Sequence, residues 1–145
     1  MNKDKHYLAL ENMYLAAPIN TIYKPRINIL EGLSEIEIEL NEGYFHAAGA
    51  VHGSVYFKML DDSAFFAANS LEREVFVLTT SFTVYLTRPV SSGSMRAVGK
   101  VVNSTKSQFI AESVVYNSEG KEIARGSGVF VRGKFKLAEA LGYKA

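Results

Sequence analysis

The chain has 145 residues, of which 48% are hydrophobic and 21% charged, a composition typical of one globular domain. Sixteen basic and fifteen acidic residues leave a net charge of +1, which argues against nucleic-acid binding and a polybasic membrane anchor. The absence of cysteine excludes disulfides, a thiolate nucleophile and cysteine-ligated zinc. We find no pattern of a signal peptide or of the roughly 20 apolar residues in a membrane span. We therefore expect a cytoplasmic protein with a single domain over residues 1–145.

The first half of the sequence predicts two helices separated by short strands. Residues 4–17 have apolar side chains at helical spacing, and residues 26–30 are compatible with a short strand. Residues 34–40 alternate isoleucine or leucine with glutamate, which is typical of a strand with one buried face. Residues 43–52 show no period and are interpreted as a loop. Residues 53–69 would form a helix that is apolar on nearly every face, which indicates a buried central helix.

The second half of the sequence predicts four strands. They cover residues 75–86, 94–102, 108–116 and 121–131 and are joined by short segments, a spacing that favours an antiparallel meander. The tail, residues 134–145, is predicted to form a short helix. One long apolar helix followed by an antiparallel sheet indicates an α+β fold in which the sheet wraps around the helix.

Two adjacent carboxylates on the central helix are predicted to have different surroundings. At about 100° per residue, Asp62 lies on one narrow polar face with Lys58 and Asn69, so we expect it to be solvated. Asp61 lies within the apolar arc, where burial disfavours the charged form and raises the pKa. A carboxylate in that state suits general-base or nucleophilic chemistry. The alternative is an aspartate that only bonds a neighbouring backbone group or arginine.

The start of the central helix is a second candidate for chemistry. Backbone N–H groups in a first helical turn have no partner in the helix, and Gly53 lets a substrate approach them closely. Such a helix end can bind an oxyanion, although a plain loop-to-helix junction has the same pattern. Gly53 and Asp61 are about 12 Å apart along the helix axis. If both act on one substrate, they must come from different subunits.

Metal and serine chemistry find little support in the sequence. The residues His46, His52 and Asp61 match no known zinc-ligand spacing, so no metal site is expected. A serine nucleophile would have to be Ser54 or Ser81. Neither lies in the Gly-x-Ser-x-Gly turn that exposes such a residue.

One segment of the sequence carries a family resemblance. The stretch from His52 to Phe65, HGSVYFKMLDDSAF, resembles the HGG…LxD signature of PaaI-type hotdog thioesterases. The segment 83–89, TVYLTRP, resembles the strand end that follows in that family, and the resemblance covers residues 34–133. It implies the hotdog fold, a curved antiparallel sheet wrapped around one long central helix. It also implies a homodimer or homotetramer with active sites at the subunit interface, and hydrolysis of acyl-CoA without a metal or prosthetic group.

The resemblance also implies roles for individual residues. Asp61 would be the catalytic carboxylate, as general base or nucleophile, and the Gly53 N–H would polarise the thioester carbonyl. Thr79 would help to orient the water, with Ser81 beside it. The implied coenzyme A contacts, including those to its phosphates, are Arg88, Asn103, Lys106, Ser107 and Arg132.

Two positions depart from the family pattern. His46 stands where many members have an asparagine, and Ser54 replaces the second glycine of HGG. A histidine in place of the amide could hold the substrate carbonyl or Asp61, and it would add a pH dependence because imidazole titrates near neutrality. An exposed loop histidine without a role is the alternative. Both His46 and His52 are kept in the predicted site.

Two other functions stay open. A hotdog dehydratase acting on hydroxyacyl thioesters would use His46 or His52 as its base with Asp61 as partner, but the sequence has no clear dehydratase signature. A non-catalytic acyl-CoA-binding protein with the same fold would usually carry a DNA-binding domain, for which 145 residues leave no room. Acyl-CoA hydrolysis is therefore the favoured prediction, and neither nucleic acid nor a membrane is an expected partner.

Overall fold

Residues 2–145, which the computed structural model describes, form three α-helices and six β-strands. The helices are α1 (Lys5–Ala16), α2 (Asn20–Tyr23) and α3 (Gly53–Ser70). The strands are β1 (Arg26–Leu30), β2 (Leu33–Glu39), β3 (Val75–Leu86), β4 (Ser94–Ser104), β5 (Gln108–Tyr116) and β6 (Glu122–Lys136). Within this part of the chain, no helix combines the length and apolar character needed to cross a membrane.

The strands form one antiparallel sheet in the order β1-β2-β4-β5-β6-β3. α3 packs across this sheet and contacts every strand in it. Their facing side chains make the core, which includes the fully buried residues Met59, Leu60, Met95, Phe109 and Phe130. The predicted α+β fold, a sheet around one long central helix, is confirmed.

Most elements agree with the sequence patterns. β1, β3 and β5 have the predicted bounds, and α1, α3, β2 and β4 begin and end within two residues of them. The short helix α2 lies outside the predicted elements. The predicted helix over 134–145 is wrong, because β6 continues to Lys136 and only the 3₁₀ turn Leu137–Glu139 follows. The extension of β6 pairs with β3 alone, since its pairing with β5 ends at Val131.

The strand order differs from the predicted meander. β4, β5 and β6 are sequential neighbours, but β3 pairs with β6 and β4 pairs with β2, so the chain crosses the sheet between β3 and β4. The crossing segment, residues 87–93, passes the start of α3. There the Val90 carbonyl accepts the Val51 N–H at 2.9 Å, and the Arg88 carbonyl accepts the Tyr56 hydroxyl at 2.8 Å. A pattern along one strand does not specify its neighbours, because strand order depends on contacts between segments distant in sequence.

α3 lies directly on β4 at Gly99. A Cβ atom at this position would lie 2.2 Å from the carbonyl carbon and oxygen of Ser63 and 2.5 Å from the backbone nitrogen of Ala64. These atoms belong to the helix backbone and cannot turn away as a side chain can. The missing side chain of Gly99 therefore sets the distance between α3, which carries Asp61, and the sheet.

Gly99→Ala should destabilise the protein, because α3 has to move away from the sheet to admit the methyl group. Overpacking of this kind costs about 1–3 kcal/mol of unfolding free energy, which urea denaturation measures. Ser113→Ala is the matched control. Ser113 lies opposite Gly99 on β5, and its buried hydroxyl has no hydrogen-bond partner within residues 2–145. Removing that hydroxyl should leave stability unchanged or increase it. A Gly99→Ala protein as stable as the parent would contradict this packing.

A buried histidine connects α1 and the C-terminal tail to α3. The His6 Nε2 lies 2.9 Å from the Asn69 carbonyl oxygen, and its Nδ1 lies 2.6 Å from the Tyr143 hydroxyl. Burial is the largest effect on His6 and lowers its pKa, although the hydrogen bond to the Asn69 carbonyl raises it. The fold therefore favours neutral imidazole, with Nε2–H donating to Asn69 and Nδ1 accepting from Tyr143.

The lowered pKa of His6 should make stability depend on pH. Above the usual histidine pKa of 6.5 the ring is neutral in both folded and unfolded chains, and its stabilising contribution is complete. As the pH falls from there through the lower folded-state pKa, the unfolded chain binds the proton first and the contribution is lost. The unfolding free energy should therefore decrease between about pH 7 and pH 5, and less steeply in His6→Gln. Equal decreases in the two proteins would contradict the assignment.

Candidate active site

α3 begins with a side-chain cap. The N-cap residue is His52, whose Nδ1 accepts the Ser54 N–H at 3.0 Å and lies 2.8 Å from the Ser54 Oγ. Gly53 is the first residue of the helix, so its N–H lies at the positive end of the helix dipole. His52 thus has a structural role in starting the helix, and only its Nε2 is outside the cap.

A cavity of about 260 Å³ adjoins this end of α3. Gly53, His46 and Arg88 all line it. The His46 Nδ1 accepts the Ala48 N–H at 3.1 Å, so the ring closes a local turn as an asparagine side chain does. The structure therefore brings three of the predicted residues together at the helix start, away from Asp61.

Asp61 lies about two turns further along α3, beside a second cavity of about 350 Å³. Thr79 of β3 donates its hydroxyl to the Asp61 Oδ1 at 2.9 Å and does not engage Oδ2. Burial is the largest effect on this carboxyl and raises its pKa above the usual 3.8. The Thr79 hydrogen bond and the Lys58 charge oppose that rise, and the Asp62 charge adds to it. Asp61 is thus a partly buried carboxylate with one oxygen held in place.

The cavity beside Asp61 is mostly apolar. Its walls come from α1, α2, α3 and β3, and the larger side chains among them are Met13, Tyr14, Phe65, Phe66, Phe76 and Leu78. The Phe65 ring lies with its centroid 5.0 Å from those of Phe66 and Phe76, edge-on to the first and tilted to the second. A concave apolar space next to a few polar groups is typical of a site for an apolar ligand.

Asp62 is not solvated, so the prediction from the helical wheel is wrong on this point. The Asp62 side chain is only 20% exposed, and its Oδ2 accepts hydrogen bonds from the Lys58 Nζ at 2.5 Å and the Tyr14 hydroxyl at 2.6 Å. A helical wheel identifies a polar face but not the element that packs on it. Here that element is α1, which contributes Tyr14. Sequence reasoning missed the pair, although a lysine and an aspartate four residues apart are a common ion-pair signal.

The predicted coenzyme A residues lie mostly at the β4–β5 loop. Arg132 of β6 donates from Nε to the Glu72 Oε1 at 2.8 Å and from Nη1 to the carbonyls of Thr105 and Lys106 at 3.3 and 2.7 Å. Its guanidinium therefore fixes the shape of this loop. Lys106 and Ser107 of the loop are exposed to solvent, as is Asn103, which the structure places near the end of β4 and not in the predicted loop.

Within one chain, the predicted residues form three separate groups. These are Gly53 with His52, Ser54, His46 and Arg88; Asp61 with Thr79; and Arg132 with the β4–β5 loop. Ser81 is exposed in the middle of β3, beside a bulge in the pairing with β6. Across residues 2–145, no three His, Asp or Glu side chains converge in a way that could hold a metal ion.

The sequence matches the family model of the Thioesterase superfamily over residues 48–124, a range that contains Gly53, Asp61 and Thr79. The chain therefore belongs to this superfamily. No curated protein matches it in sequence at a significant level.

Solved structures show the fold that the chain shares. The E. coli PaaI protein from the phenylacetic acid degradation operon aligns with a TM-score of 0.81 and 19% identity, covering 92% of this chain and 99% of that one. A mutant of PaaI from Thermus thermophilus aligns with a TM-score of 0.73 and 19% identity, covering 80% and 99%. Zebrafish thioesterase superfamily member 2 aligns with a TM-score of 0.76 and 17% identity, covering 88% and 95%. The predicted hotdog fold is confirmed by these structures, and membership of the Thioesterase superfamily rests on the family model.

Proposed function

We propose that the protein hydrolyses acyl-CoA thioesters to a free acid and coenzyme A. The observation that carries the proposal is Asp61, a partly buried carboxylate that Thr79 holds beside a mostly apolar cavity of about 350 Å³. Membership of the Thioesterase superfamily supports thioester hydrolysis in general. A thiolate is a good leaving group, so one carboxylate and one oxyanion donor are enough for this chemistry.

Asp61 would act in one of two ways. As a general base, its Oδ2 takes a proton from water while the water oxygen attacks the thioester carbonyl carbon, and the C–S bond then breaks to release the thiolate. As a nucleophile, Oδ2 attacks that carbon itself and the C–S bond breaks to release the thiolate; water then hydrolyses the resulting mixed anhydride and frees Asp61. In both routes negative charge develops on the carbonyl oxygen, where the Gly53 N–H would stabilise it. Thr79 holds Oδ1 and thereby orients the reacting oxygen.

The proposed site takes its residues from two subunits, because Gly53 and Asp61 lie about 12 Å apart along one helix. β3 is an edge strand that pairs with β6 on one side only. At one end of β3, the Leu86 Cδ1 lies 3.2 Å from where a Gly53 Cβ would be, and towards the other end Thr79 bonds Asp61. On β3, Leu86 therefore lies beside the Gly53 half of the site, and Thr79 lies beside the Asp61 half.

An antiparallel pairing of two β3 strands about a two-fold axis near Phe82 brings these halves together. Leu86 of one copy then lies opposite Thr79 of the other, so that Gly53 of one subunit faces Asp61 of its partner. Large apolar side chains on β3, or packed on it as Phe57 is on Phe82, have exposures between 42% and 61%; they are Phe57, Leu78, Tyr85 and Leu86. Their exposure on a single chain supports a homodimer in which a second copy covers them.

Coenzyme A is proposed to bind where positive charges of the two subunits meet. The same pairing brings Arg88, beyond the end of one β3, towards the β4–β5 loop of the other subunit. Lys106 and Ser107 of that loop, with Asn103 near the end of β4, offer a charge and hydrogen-bond donors to phosphate. Arg132 already bonds a carboxylate and two loop carbonyls, so we assign it to shaping the loop.

An assay over a panel of acyl-CoA and hydroxyacyl-CoA thioesters tests the proposal. Release of free thiol with saturation kinetics supports a thioesterase and identifies the preferred acyl group. Formation of an enoyl thioester without thiol release would identify the dehydratase instead. Saturable binding without any turnover would identify a non-catalytic acyl-CoA-binding protein.

A further inference from the structure

A cluster of two charged side chains and two tyrosines lies next to Asp61 and takes no direct part in the proposed reaction. It consists of Lys58, Asp62, Tyr14 and Tyr23 and is called the Lys58 cluster below. The Lys58 Nζ lies 2.5 Å from the Asp62 Oδ2 and 3.3 Å from the Tyr14 hydroxyl, which itself donates to the same Asp62 oxygen at 2.6 Å. The Lys58 ammonium group is therefore hydrogen-bonded to both the Asp62 carboxylate and the Tyr14 hydroxyl.

Two aromatic rings hold the ammonium group in place. The Lys58 Nζ lies 5.0 Å from the centroid of the Tyr14 ring and 5.0 Å from that of the Tyr23 ring, a distance at which a cation is attracted to the ring face. The side chains of Lys58 and Asp62 are only 13% and 20% exposed. This pair is therefore far less mobile and less screened by solvent than an ordinary surface ion pair.

The Lys58 cluster supplies the charged groups that surround Asp61. Lys58 and Asp62 are on α3 itself, Tyr14 comes from α1, Tyr23 ends α2, and β3 adds only the uncharged Thr79. Tyr14, Lys58 and Asp62 line the same cavity as Asp61. Burial and then the Asp62 charge raise the pKa of Tyr14 well above its usual range, so its hydroxyl stays a donor to Asp62.

We propose, on the basis of the function proposed above, that Lys58 and Asp62 are positioning residues that set the charge state of Asp61 by opposing each other. The Asp62 carboxylate disfavours a second negative charge beside it, and the Lys58 ammonium favours one. Because the two groups are bonded to each other and held by two tyrosines, both effects act on Asp61 from fixed positions. In the part of the chain that the structure describes, Asp61 itself has no direct ion pair that would reduce its basicity.

The proposal predicts pKa changes of opposite sign at Asp61. Asp62→Asn removes the negative neighbour and leaves the ammonium, so the pKa of Asp61 should fall. Lys58→Met removes the ammonium and leaves the carboxylate, so it should rise. The double variant removes both charges and should return the pKa towards the parent value. Glu35→Gln, which breaks the exposed Arg96–Glu35 pair on β2 and β4, is the matched control and should change nothing.

The measurement is a pH titration of the Asp61 carboxyl carbon by NMR of protein labelled at the aspartate carboxyls, with Asp61→Asn used for assignment. This readout needs no turnover, so it tests the proposal even if the acyl-CoA panel shows no hydrolysis. Where hydrolysis is found, the acid limb of the kcat/KM profile should shift in the same directions. If Lys58→Met does not fold, Lys58→Gln removes the same charge. Shifts of the same sign in both single variants, or no shift in either, would overturn the proposal.

Discussion

Asp61→Asn and Asp61→Ala should each lower kcat for acyl-CoA hydrolysis by about 100-fold or more, because loss of a general acid–base group costs about 10²–10⁴ in rate. Asparagine keeps the shape of the side chain and can still interact with the Thr79 hydroxyl, which donates to Asp61 at 2.9 Å in the parent. It has no basic oxygen with which to activate water and cannot act as the carboxylate nucleophile. The change should therefore lie in kcat, with KM affected much less.

The pH dependence of acyl-CoA hydrolysis by the parent enzyme should also arise from Asp61. Asp61 is active only when ionised, and burial raises its pKa above the usual 3.8. The rate of hydrolysis should therefore be maximal at pH values above that raised pKa and fall as the pH decreases through it. Glu35→Gln on β2 serves as a control, because its ion pair is exposed and outside the site. An Asp61→Asn enzyme with parental kcat would contradict the role of this carboxylate.

Gly53→Val should be the second most damaging change. A Cβ added at this position would lie 3.2 Å from the Leu86 Cδ1, and a branched side chain would cover the first-turn N–H groups that the thioester oxygen must reach. Loss of one oxyanion donor costs about 10²–10³ in kcat. Gly53→Ala is the graded control, since Leu86 can turn away from a single methyl group. Full kcat in Gly53→Val, measured by thiol release, would mean that the oxyanion is stabilised elsewhere.

Local patterns were sufficient to predict most of the secondary structure. The strict alternation of apolar and charged residues in β2, and the β-branched and aromatic residues of β3, specify strands whatever their neighbours are. The last residues of β6 gave no such signal. They pair with β3 on one side and are otherwise largely exposed, so their charged and glycine-containing sequence resembled a loop followed by a helix.

Tertiary contacts account for what the sequence could not predict. The apolar arc of α3 correctly indicated a desolvated Asp61, because that arc packs on the sheet. Asp62 was misassigned because its polar face is covered by Tyr14 from another helix. The position of β3 beside β6 likewise goes with a segment that passes the start of α3, where the Tyr56 hydroxyl bonds the Arg88 carbonyl. Both contacts join residues more than 30 positions apart, which no local period reveals.

A hybrid dimer tests the central claim, a site shared between two subunits, most directly. Subunits carrying Asp61→Asn and subunits carrying Gly53→Val, each with its own affinity tag, are co-expressed, and the mixed dimer is isolated through both tags. One of its two sites then combines the intact Asp61 of one subunit with the intact Gly53 of the other, while the second site carries both changes. We expect each pure variant to be almost inactive and the hybrid to recover about half of the parental kcat per dimer, as a two-fold symmetric dimer requires. A hybrid no more active than its two inactive parents, or a monomeric protein with full activity, would contradict the shared site.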